Sequence, residues 1–528
     1  MFELGLIFGI LAGSVLAAFL FSLAALRLAG ILQQGGYAGG KLLKWSFRKG
    51  NMQRKRFSLL ALSLVLLTAL FCLCFSFLDS VWANLISLLP FVGILALYLV
   101  SERKYALKVP AKRTARMIRL AVAHYFVLLV IIAGVGFGMA AAAITLGEKW
   151  FALFRFVPIA AAPLVLPLTL SLANMLMKAY EIPHNRAFVR RAGKALAASK
   201  CVKVGITGSF GKTSVKHFMQ QALSKKYRVV ATPASYNTPM GIARTVNEQG
   251  LDCDIFLAEM GARHTGDIAE LCELVKPDFG LITGVCAQHV ETFGSVEQIA
   301  TEKAVLIGCV KTVVLGKTAP AGKAEKTLRE GVDFRAENIV CTADATQFDL
   351  YVCGKTVHIR TKLLGKHAQE DVALAAALCC ELGLSPEEFA SAAESFTPVP
   401  HRLEKMEANG LVILDDSYNS NIEGAKNAVE ALKLFGGKKV VVTPGLVELG
   451  ELEEQTNEEL GAALVGLDVV LVGETLVLPV RRGYLAAGGD EARLKVVSTL
   501  AAAQALLGAE LQAGDSVLFL NDLPDIYR

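Results

Sequence analysis

Hydrophobic residues are distributed unevenly along the chain, and their pattern divides it into two parts. Before about residue 175 they form long unbroken stretches, whereas after residue 200 they come in short runs between polar segments and glycines. Five early stretches reach about 20 residues, the length that a helix needs to cross a bilayer. They cover residues 4–26, 57–78, 81–100, 120–144 and 151–172. The pattern predicts an α-helical transmembrane bundle of five spans over residues 1–177.

The basic residues between these stretches predict how the bundle is oriented. Eight Lys and Arg residues lie between positions 27 and 56, and seven lie between 103 and 119, whereas the other two connections carry few charges. Because basic loops stay on the cytoplasmic side, we expect the N-terminus outside and the large C-terminal part in the cytoplasm. The sequence thus predicts a multi-pass protein of the cell membrane. The net charge of +6 is concentrated in these loops, so it does not indicate a nucleic-acid partner.

Residues 178–200 join the two parts as a basic amphipathic segment that predicts a helix. Apolar positions such as Phe188, Ala192 and Leu196 alternate with Arg190 and Lys194. Such a helix suits the anionic surface of the inner leaflet. It suits equally well a solvated helix packed on the following domain, and the sequence leaves both interpretations open.

The second part alternates short apolar runs with helical patterns. We expect strands at residues 228–231, 254–259 and 279–283 and helices at 264–275 and 296–308. This alternation predicts an α/β domain with a mainly parallel sheet, helices on both faces and a ligand site at the carboxyl ends of the strands. The eleven cysteines include no C-x-x-C pair, which favours reduced thiols over a zinc site.

The clearest chemical signal is a glycine-rich turn between the apolar run 202–206 and a helical pattern. The turn reads T-G-S-F-G-K-T-S from Thr207 to Ser214, shorter than the common phosphate-loop pattern. Backbone N–H groups and a helix N-terminus bind phosphate oxygens, a lysine neutralises charge and a hydroxyl holds Mg²⁺. The predicted ATP contacts are Gly208, Ser209, Gly211, Lys212, Thr213 and Ser214.

Three further residues are candidates for the site but are ambiguous by themselves. Glu259 ends a buried strand that should face the phosphate loop, which makes its carboxylate a candidate Mg²⁺ ligand. His289 follows the next strand, where a packed histidine is equally common. Lys303 has the pattern of an ordinary helical lysine.

A second α/β pattern begins after residues 397–400, whose two prolines predict a hinge. Arg402 follows the hinge, and Asp416 ends an apolar run at 411–414 that predicts a strand. Another strand is expected at 439–442. An isolated Asp-Asp pair is more typical of a turn than of a site.

Taken in order, these motifs resemble the Mur ligases, and most closely the MurF type, which adds D-alanyl-D-alanine to a muramoyl tripeptide. The matching stretches are 207–213, 236–241 (Y-N-T-P-M-G), 259–263 (E-M-G-A-R), 289–295 (H-V-E-T-F-G-S), 401–404 (H-R-L-E) and 415–421 (D-D-S-Y-N-S-N). The resemblance implies a central ATP-binding domain over residues 201–397 and a Rossmann-like C-terminal domain over residues 398–528.

The resemblance also implies roles for individual residues. Thr213 and Glu259 would bind one Mg²⁺, and His289 would bind a second together with Lys303 carrying a carbamate. The implied ATP contacts in the C-terminal domain are Arg402 on the phosphates and Asp416 on the ribose. Asn237 and Thr238 would lie near the substrate. The implied catalytic set is Lys212, Glu259, His289, Lys303 and Arg402.

The chain departs from the family pattern in three places. Ala368 and Asp371 replace two asparagines of a G-x-H-N-x-x-N motif, and residues 521–525 replace a basic K-G-S-R-like stretch. We also expect no uridine-nucleotide-binding N-terminal domain, because five membrane spans take its place.

These observations predict a membrane-anchored ligase that uses ATP and Mg²⁺ to form an amide bond through an acyl phosphate. The expected partners are a cell-wall precursor, an amine-bearing amino acid or dipeptide such as D-alanyl-D-alanine, and the bilayer. A lipid-linked or polymeric substrate, as in poly-γ-glutamate synthases, is one alternative. A non-catalytic scaffold that binds nucleotide is another, although Lys212, Thr213 and Glu259 argue against it. A transporter is disfavoured because the spans carry no run of charges.

Overall fold

The computed structural model describes residues 2–47, 107, 110–146, 157–286, 290–418, 421–447, 449–473 and 476–521. The chain divides between His184 and Asn185 into two compact units. The first is helical, and the second contains three β-sheets.

The described part of the first unit consists of helices. They are α1 (Phe2–Ala24), α2 (Leu26–Gln34), α3 (Gly39–Phe47), α4 (Ala115–Leu146) and α5 (Val157–Ala198), which continues into the second unit. Phe21 of α1 packs with Leu128 of α4 and Leu166 of α5 in one apolar cluster. Polar contacts also join the helices: Arg119 of α4 forms an ion pair of 2.7 Å with Glu181 of α5.

Parts of this unit have the length and composition of a membrane span. Among the described residues, one helical stretch, Ala115–Gly138, is long and apolar enough to cross a bilayer. The pair Ile10–Ala24 and Leu26–Gln34 passes the same test only together, with a bend of 45° between them. The predicted spans 57–78 and 81–100 lie outside the described residues, and 151–172 falls partly within α5. The five-span bundle and its orientation therefore stay predictions.

The basic segment predicted at 178–200 is not a separate helix, because α5 continues without a break to Ala198. Its last turns, from Asn185 on, belong to the second unit and pack within it. Ala192 and Leu196 are fully buried in an apolar cluster with Ile242 and Phe256, and Asn247 donates a hydrogen bond of 3.1 Å to the Phe188 carbonyl. This packing agrees with the interpretation of a solvated helix on the domain surface.

The second unit contains the predicted parallel sheet. Its six strands are all parallel and lie in the order β2-β3-β1-β4-β5-β6. They are β1 (Val202–Thr207), β2 (Val229–Ala231), β3 (Ile255–Glu259), β4 (Phe279–Ile282), β5 (Thr312–Leu315) and β6 (Lys326–Arg329). Helices cover both faces, as expected. They are α6 (Lys212–Leu223), α7 (Pro239–Gln249), α8 (Asp267–Val275), α9 (Val290–Phe293) and α10 (Val296–Ala304).

Strand register explains why the candidate residues of this domain converge. Ile206 pairs with Glu259 on one side of β1, and Thr207 pairs with Ile282 on the other. The carboxyl ends of the three central strands therefore meet at one edge of the sheet, where α6 also begins. This is the position at which open parallel sheets bind ligands.

Two smaller elements follow the parallel sheet. Three antiparallel strands, β7 (Arg335–Cys341), β8 (Thr346–Val352) and β9 (Lys355–Thr361), form a separate sheet that the sequence analysis did not anticipate. Two helices then complete the domain, α11 (Lys366–Glu381) and α12 (Pro386–Ala393). Ala375 and Leu378 of α11 are fully buried in a cluster with Phe348 and Phe218, which ties the small sheet to α6.

The C-terminal part forms a second six-stranded sheet in the order β10-β11-β15-β12-β13-β14. Only the β10–β11 pair is antiparallel among these strands. The strands are β10 (Glu404–Ala408), β11 (Leu411–Asp416), β12 (Lys439–Thr443), β13 (Asp468–Val472), β14 (Leu494–Val497) and β15 (Ser516–Leu520). The helices are α13 (Ile422–Lys433), α14 (Glu453–Ala463), α15 (Val477–Ala486) and α16 (Leu500–Glu510). β11 is two residues longer than predicted and ends at Asp416.

Candidate functional site

The phosphate loop connects β1 to α6 through two glycines in conformations that favour glycine. Gly208 has φ of +148°, and a Cβ there would lie 1.9 Å from Thr283 Oγ1. Gly211 has φ of +71° and precedes the first residue of α6. The loop is held to β4 because the Ser209 N–H donates to the Gly284 carbonyl at 2.8 Å. These glycines leave the backbone of the loop close to the helix N-terminus, as anion binding requires.

Lys212 turns back over the loop that precedes it. Its Nζ donates to the carbonyls of Gly208 at 2.7 Å and Ser209 at 3.3 Å. Burial lowers the pKa of Lys212, and the charge of Arg402 lowers it further, whereas Glu259 acts in the opposite direction. The ammonium group is thus held at the position where phosphate oxygens would enter the loop.

Glu259 faces the start of α6 and forms a buried ion pair that the sequence analysis missed. Lys216 Nζ lies 2.8 Å from Glu259 Oε2, and the side chains are 4% and 1% exposed. Asn237 Nδ2 donates to the other oxygen, Oε1, at 3.1 Å. Burial opposes ionisation of Glu259, yet Lys216 and Lys212 hold its pKa below its usual range. One signal was present in the sequence: Lys216 is four residues after Lys212, on the same face of the helix.

Lys303 is buried near the end of α10, against the expectation for a helical lysine read from sequence alone. Burial, together with the charge of Lys212, lowers the pKa of Lys303 to about 7. Its neighbour Glu302 accepts hydrogen bonds from the backbone N–H groups of Gly266 and Ile268 at 2.8 and 2.7 Å, which fixes the start of α8. Lys303 therefore has a substantial neutral fraction at physiological pH.

Asp371 and His367, on α11, face the phosphate loop from the side where the chain departs from the family motif. Burial raises the pKa of Asp371 to about 7, although a hydrogen bond with Ser214 and the charge of Arg402 favour its ionised form. His367 Nδ1 contacts Glu370 at 3.2 Å, and its Nε2 lies 2.8 Å from Asn427 Nδ2. The His367 ring is 5.8 Å from that of Phe210 in the loop.

The C-terminal part contributes Arg402 and Asp416. The Arg402 guanidinium carbon lies 4.8 Å from the centre of the Tyr418 ring. Asp416 Oδ1 accepts a hydrogen bond of 3.1 Å from the N–H of Leu403, which has φ of +47°. His401, with φ of +63°, bonds through Nδ1 to Asp415 at 2.7 Å. Two residues in the left-handed region thus flank Arg402 and are held by carboxylates of β11.

The phosphate loop, Glu259, Lys303, Asp371, Arg402 and Asp416 line one cavity of about 660 Å³ in the second unit. Its walls include every predicted site residue that the structure describes. These are Gly208, Ser209, Gly211, Lys212, Thr213, Ser214, Asn237, Thr238, Glu259, Lys303, Arg402 and Asp416. Thr238 also caps α7, accepting from the Gly241 N–H at 3.2 Å. His289 lies outside the described residues, so its predicted role stays untested.

The arrangement has the chemical groups that handling a polyanion requires. A glycine-rich loop, Lys212 and Arg402 supply N–H donors and positive charge, and Thr213 and Glu259 supply the oxygen ligands that Mg²⁺ prefers. Two α/β domains contribute to the same wall, as in sites that close around a nucleotide.

Comparisons with known proteins identify relatives of both α/β domains. A family model described as Mur ligase middle domain matches residues 206–379, and one described as Mur ligase, glutamate ligase domain matches residues 401–521. The UDP-N-acetylmuramoyl-tripeptide–D-alanyl-D-alanine ligase of Mycobacterium tuberculosis (strain CDC 1551 / Oshkosh) is 32% identical over 363 residues. These are 61% of this chain and 71% of that protein.

Solved structures with a similar fold include two MurF proteins. MurF from Acinetobacter baumannii aligns with a TM-score of 0.58 at 22% identity, over 64% of this chain and 77% of its own. This similarity concerns the fold alone. MurF ligase from Thermotoga maritima in complex with ADP aligns with a TM-score of 0.56 at 25% identity, over 64% of this chain and 80% of its own.

Proposed function

Because this chain belongs to the Mur ligase family of ATP-dependent, ADP-forming ligases, we propose that it joins an amine to the carboxylate of a peptidoglycan precursor. The acyl substrate is a muramoyl peptide and the amine is D-alanyl-D-alanine, as the name of the Mycobacterium tuberculosis relative suggests. The observation that carries this proposal is the single cavity shared by the phosphate loop, Glu259, Lys303 and Arg402.

In this proposal the loop residues bind the phosphates of ATP. N–H groups of the loop and Lys212 hold the β- and γ-phosphates, and Arg402 approaches from the C-terminal domain. The carboxylate of the acyl substrate attacks the γ-phosphate, which gives an acyl phosphate and ADP. The amine then attacks the acyl carbon, and phosphate leaves. Lys212 and Arg402 act mainly by positioning and by stabilising negative charge in the transition state.

Thr213 and Glu259 fit the Mg²⁺ that such a reaction uses. Both side chains are buried on the cavity wall, and the carboxylate of Glu259 already has a cationic partner, Lys216. Bound Mg²⁺ would neutralise charge on the phosphates of ATP. Lys303 carrying a carbamate, together with His289, would supply ligands for a second Mg²⁺. The lowered pKa of Lys303 supports this role because only the neutral amine reacts with CO₂.

The proposal is tested with the full chain purified in detergent and supplied with ATP, Mg²⁺ and D-alanyl-D-alanine. ADP formation should require both a muramoyl tripeptide and the dipeptide. Lys212→Ala should abolish it, whereas the matched Lys225→Ala, at an exposed lysine just after the same helix, should retain it. ADP formation that does not depend on either substrate would instead support a nucleotide-driven scaffold. Turnover retained in Lys212→Ala would contradict the phosphate-loop assignment.

A lipid-linked acceptor is the second candidate, supported by the apolar helix Ala115–Gly138 and the bent pair before it. These helices would anchor the chain in the cell membrane with both catalytic domains in the cytoplasm. The same assay distinguishes the two acceptors when UDP-linked and lipid-linked muramoyl peptides are compared at equal concentration. Faster ADP formation with the UDP-linked substrate would contradict the lipid-linked proposal.

A further inference from the structure

The ion pair between Lys216 and Glu259 occupies the carboxylate to which the proposed function assigns a metal ion. Besides its 2.8 Å contact with Glu259 Oε2, Lys216 Nζ donates to the Ala234 carbonyl at 2.5 Å. Asn237 holds Oε1. Both carboxylate oxygens therefore have a partner before any ligand is present, and the lysine is fixed by a second acceptor.

The partners do not block the carboxylate completely. An ionised carboxylate offers about four lone-pair positions, and Lys216 and Asn237 use one on each oxygen. Glu259 lines the cavity, so a cation can reach a remaining lone pair without breaking the ion pair. Lys216 thus fixes the orientation of the carboxylate while leaving it accessible.

The charges around Glu259 disfavour a divalent cation in the absence of nucleotide. Lys216 neutralises the carboxylate, and Lys212 is close enough to affect its ionisation. Arg402 in turn acts on both lysines. Lys216 and Lys212 therefore place positive charge beside one buried carboxylate, and that charge repels an approaching divalent cation.

ATP reverses this balance because its phosphates bring several negative charges to Lys212 and Arg402. We infer that Lys216 is a positioning residue that keeps Glu259 from binding a divalent cation until a nucleotide is present, so that the cation enters with ATP. This inference rests on the proposed function, since it assumes that the phosphate loop binds ATP. It goes beyond that function by assigning a role to Lys216 and an order to binding.

The test measures Mn²⁺ binding to the full chain in detergent by electron paramagnetic resonance, with and without ADP. It is done at about pH 8, where a carboxylate that loses its partner stays largely ionised. Wild-type protein should bind Mn²⁺ at the Glu259 site only with ADP, and Glu259→Gln should lack that site in both conditions. No acyl or amine substrate is needed, so a wrong substrate assignment would not affect the result.

Three variants distinguish the effect of the Lys216 charge from a structural effect of the substitution. Lys216→Met should raise the affinity for Mn²⁺ without ADP by about tenfold or more, because one nearby positive charge is removed. Lys216→Arg keeps the charge and should keep the dependence on ADP. Lys225→Met, which removes an exposed charge just after the same helix, should behave as wild type. Thermal unfolding of each variant checks that it is folded.

Three results would overturn the inference. One is nucleotide-independent Mn²⁺ binding by wild-type protein that Glu259→Gln removes; this measurement needs no Lys216 variant and stands even if Lys216→Met fails to fold. The other is a folded Lys216→Met protein whose affinity for Mn²⁺ without ADP equals that of Lys225→Met. Loss of the ADP requirement in Lys216→Arg would show that charge is not the cause.

Discussion

Asp371 lies directly against Gly211 of the phosphate loop: a Cβ added to the glycine would meet Asp371 Oδ1 at 2.3 Å. Gly211 also has φ of +71°, in the left-handed region. Position 211 therefore tolerates no side chain for two independent reasons, one of backbone conformation and one of space.

Gly211→Ala should consequently impair nucleotide binding more than a backbone effect alone can explain. We expect the affinity for ADP to fall by about tenfold or more, since the loop must move away from α11. Gly250→Ala is the matched control, with φ of +78° but no atom within 4 Å of the added Cβ. Isothermal titration calorimetry with ADP gives the comparison, and equal affinities in the two variants would contradict the steric argument.

Asp371 should also make nucleotide binding dependent on pH. Burial raises its pKa to about 7, so the carboxyl group is largely neutral in mildly acidic solution and becomes anionic as the pH rises through 7. An anion beside the phosphate loop repels ADP. From about pH 6 to about pH 8, the affinity for ADP should therefore fall more in wild type than in Asp371→Asn, which cannot ionise.

The stability of the fold should also decrease as the pH rises. Because the pKa in the folded state lies above that of the unfolded chain, the stabilising contribution of Asp371 is complete below about pH 4 and is lost as the pH rises through 7. His367 has a raised pKa and titrates in the same direction, and because the charge of Asp371 contributes to that rise, Asp371→Asn weakens both effects. Asp371→Asn should thus show a smaller fall in thermal unfolding temperature between about pH 5 and pH 8. Identical pH profiles for both proteins would contradict this account.

Lys303 should carry a carbamate when CO₂ is available. Its amine has a pKa of about 7, so a neutral fraction can attack CO₂, with formation of an N–C bond and release of a proton. The charge of Lys212 would then stabilise the anionic product. A ¹³C NMR signal of a carbamate should appear in protein equilibrated with ¹³C-bicarbonate and should be absent in Lys303→Arg.

Lys311→Arg, at an exposed lysine of the same domain, should retain the carbamate signal. Ligase activity of Lys303→Arg should fall by about 100-fold, the size of effect seen when one group that stabilises transition-state charge is lost. A carbamate signal that persists in Lys303→Arg would assign the modification to another lysine.

The site was more predictable from sequence than the interactions within it. The turn from Thr207 to Ser214 and the strand ending at Glu259 are local patterns, and parallel strand register brings them together once the alternation of strands and helices is recognised. Lys216 was missed because a helical lysine is usually solvated, and only the distance across the sheet edge reveals its partner. The burial of Lys303 likewise depends on tertiary packing, which its helical pattern does not show.

Other parts of the fold were less predictable because they lack a strong local signal. The antiparallel sheet begins with a strand that has little apolar pattern, since five of the seven residues of β7 are exposed. The apolar stretches of the N-terminal part indicate the length and composition that a membrane span needs, but they do not indicate where one helix ends. One of them continues as α5 through a basic segment to Ala198, because helix formation does not stop where hydrophobicity does.

The last prediction concerns the contact between Ser235 and Tyr418, which joins the two α/β domains at the cavity. Their hydroxyl oxygens lie 2.6 Å apart, and the Tyr418 ring also lies under Arg402. Tyr418→Phe removes the hydrogen bond and keeps the ring, as does Ser235→Ala, so each should raise the KM for ATP by about two- to fivefold.

Because both variants remove the same hydrogen bond, the double variant should have the same KM for ATP as either single variant. The two fold increases in KM should not multiply. Tyr418→Ala also removes the ring that supports Arg402, and we expect a further loss in kcat/KM for ATP of about tenfold. Steady-state kinetics of the four variants and of the wild-type protein measure these effects. If the effects of Tyr418→Phe and Ser235→Ala multiply in the double variant, the two hydroxyl groups act independently, and this contact does not couple the domains.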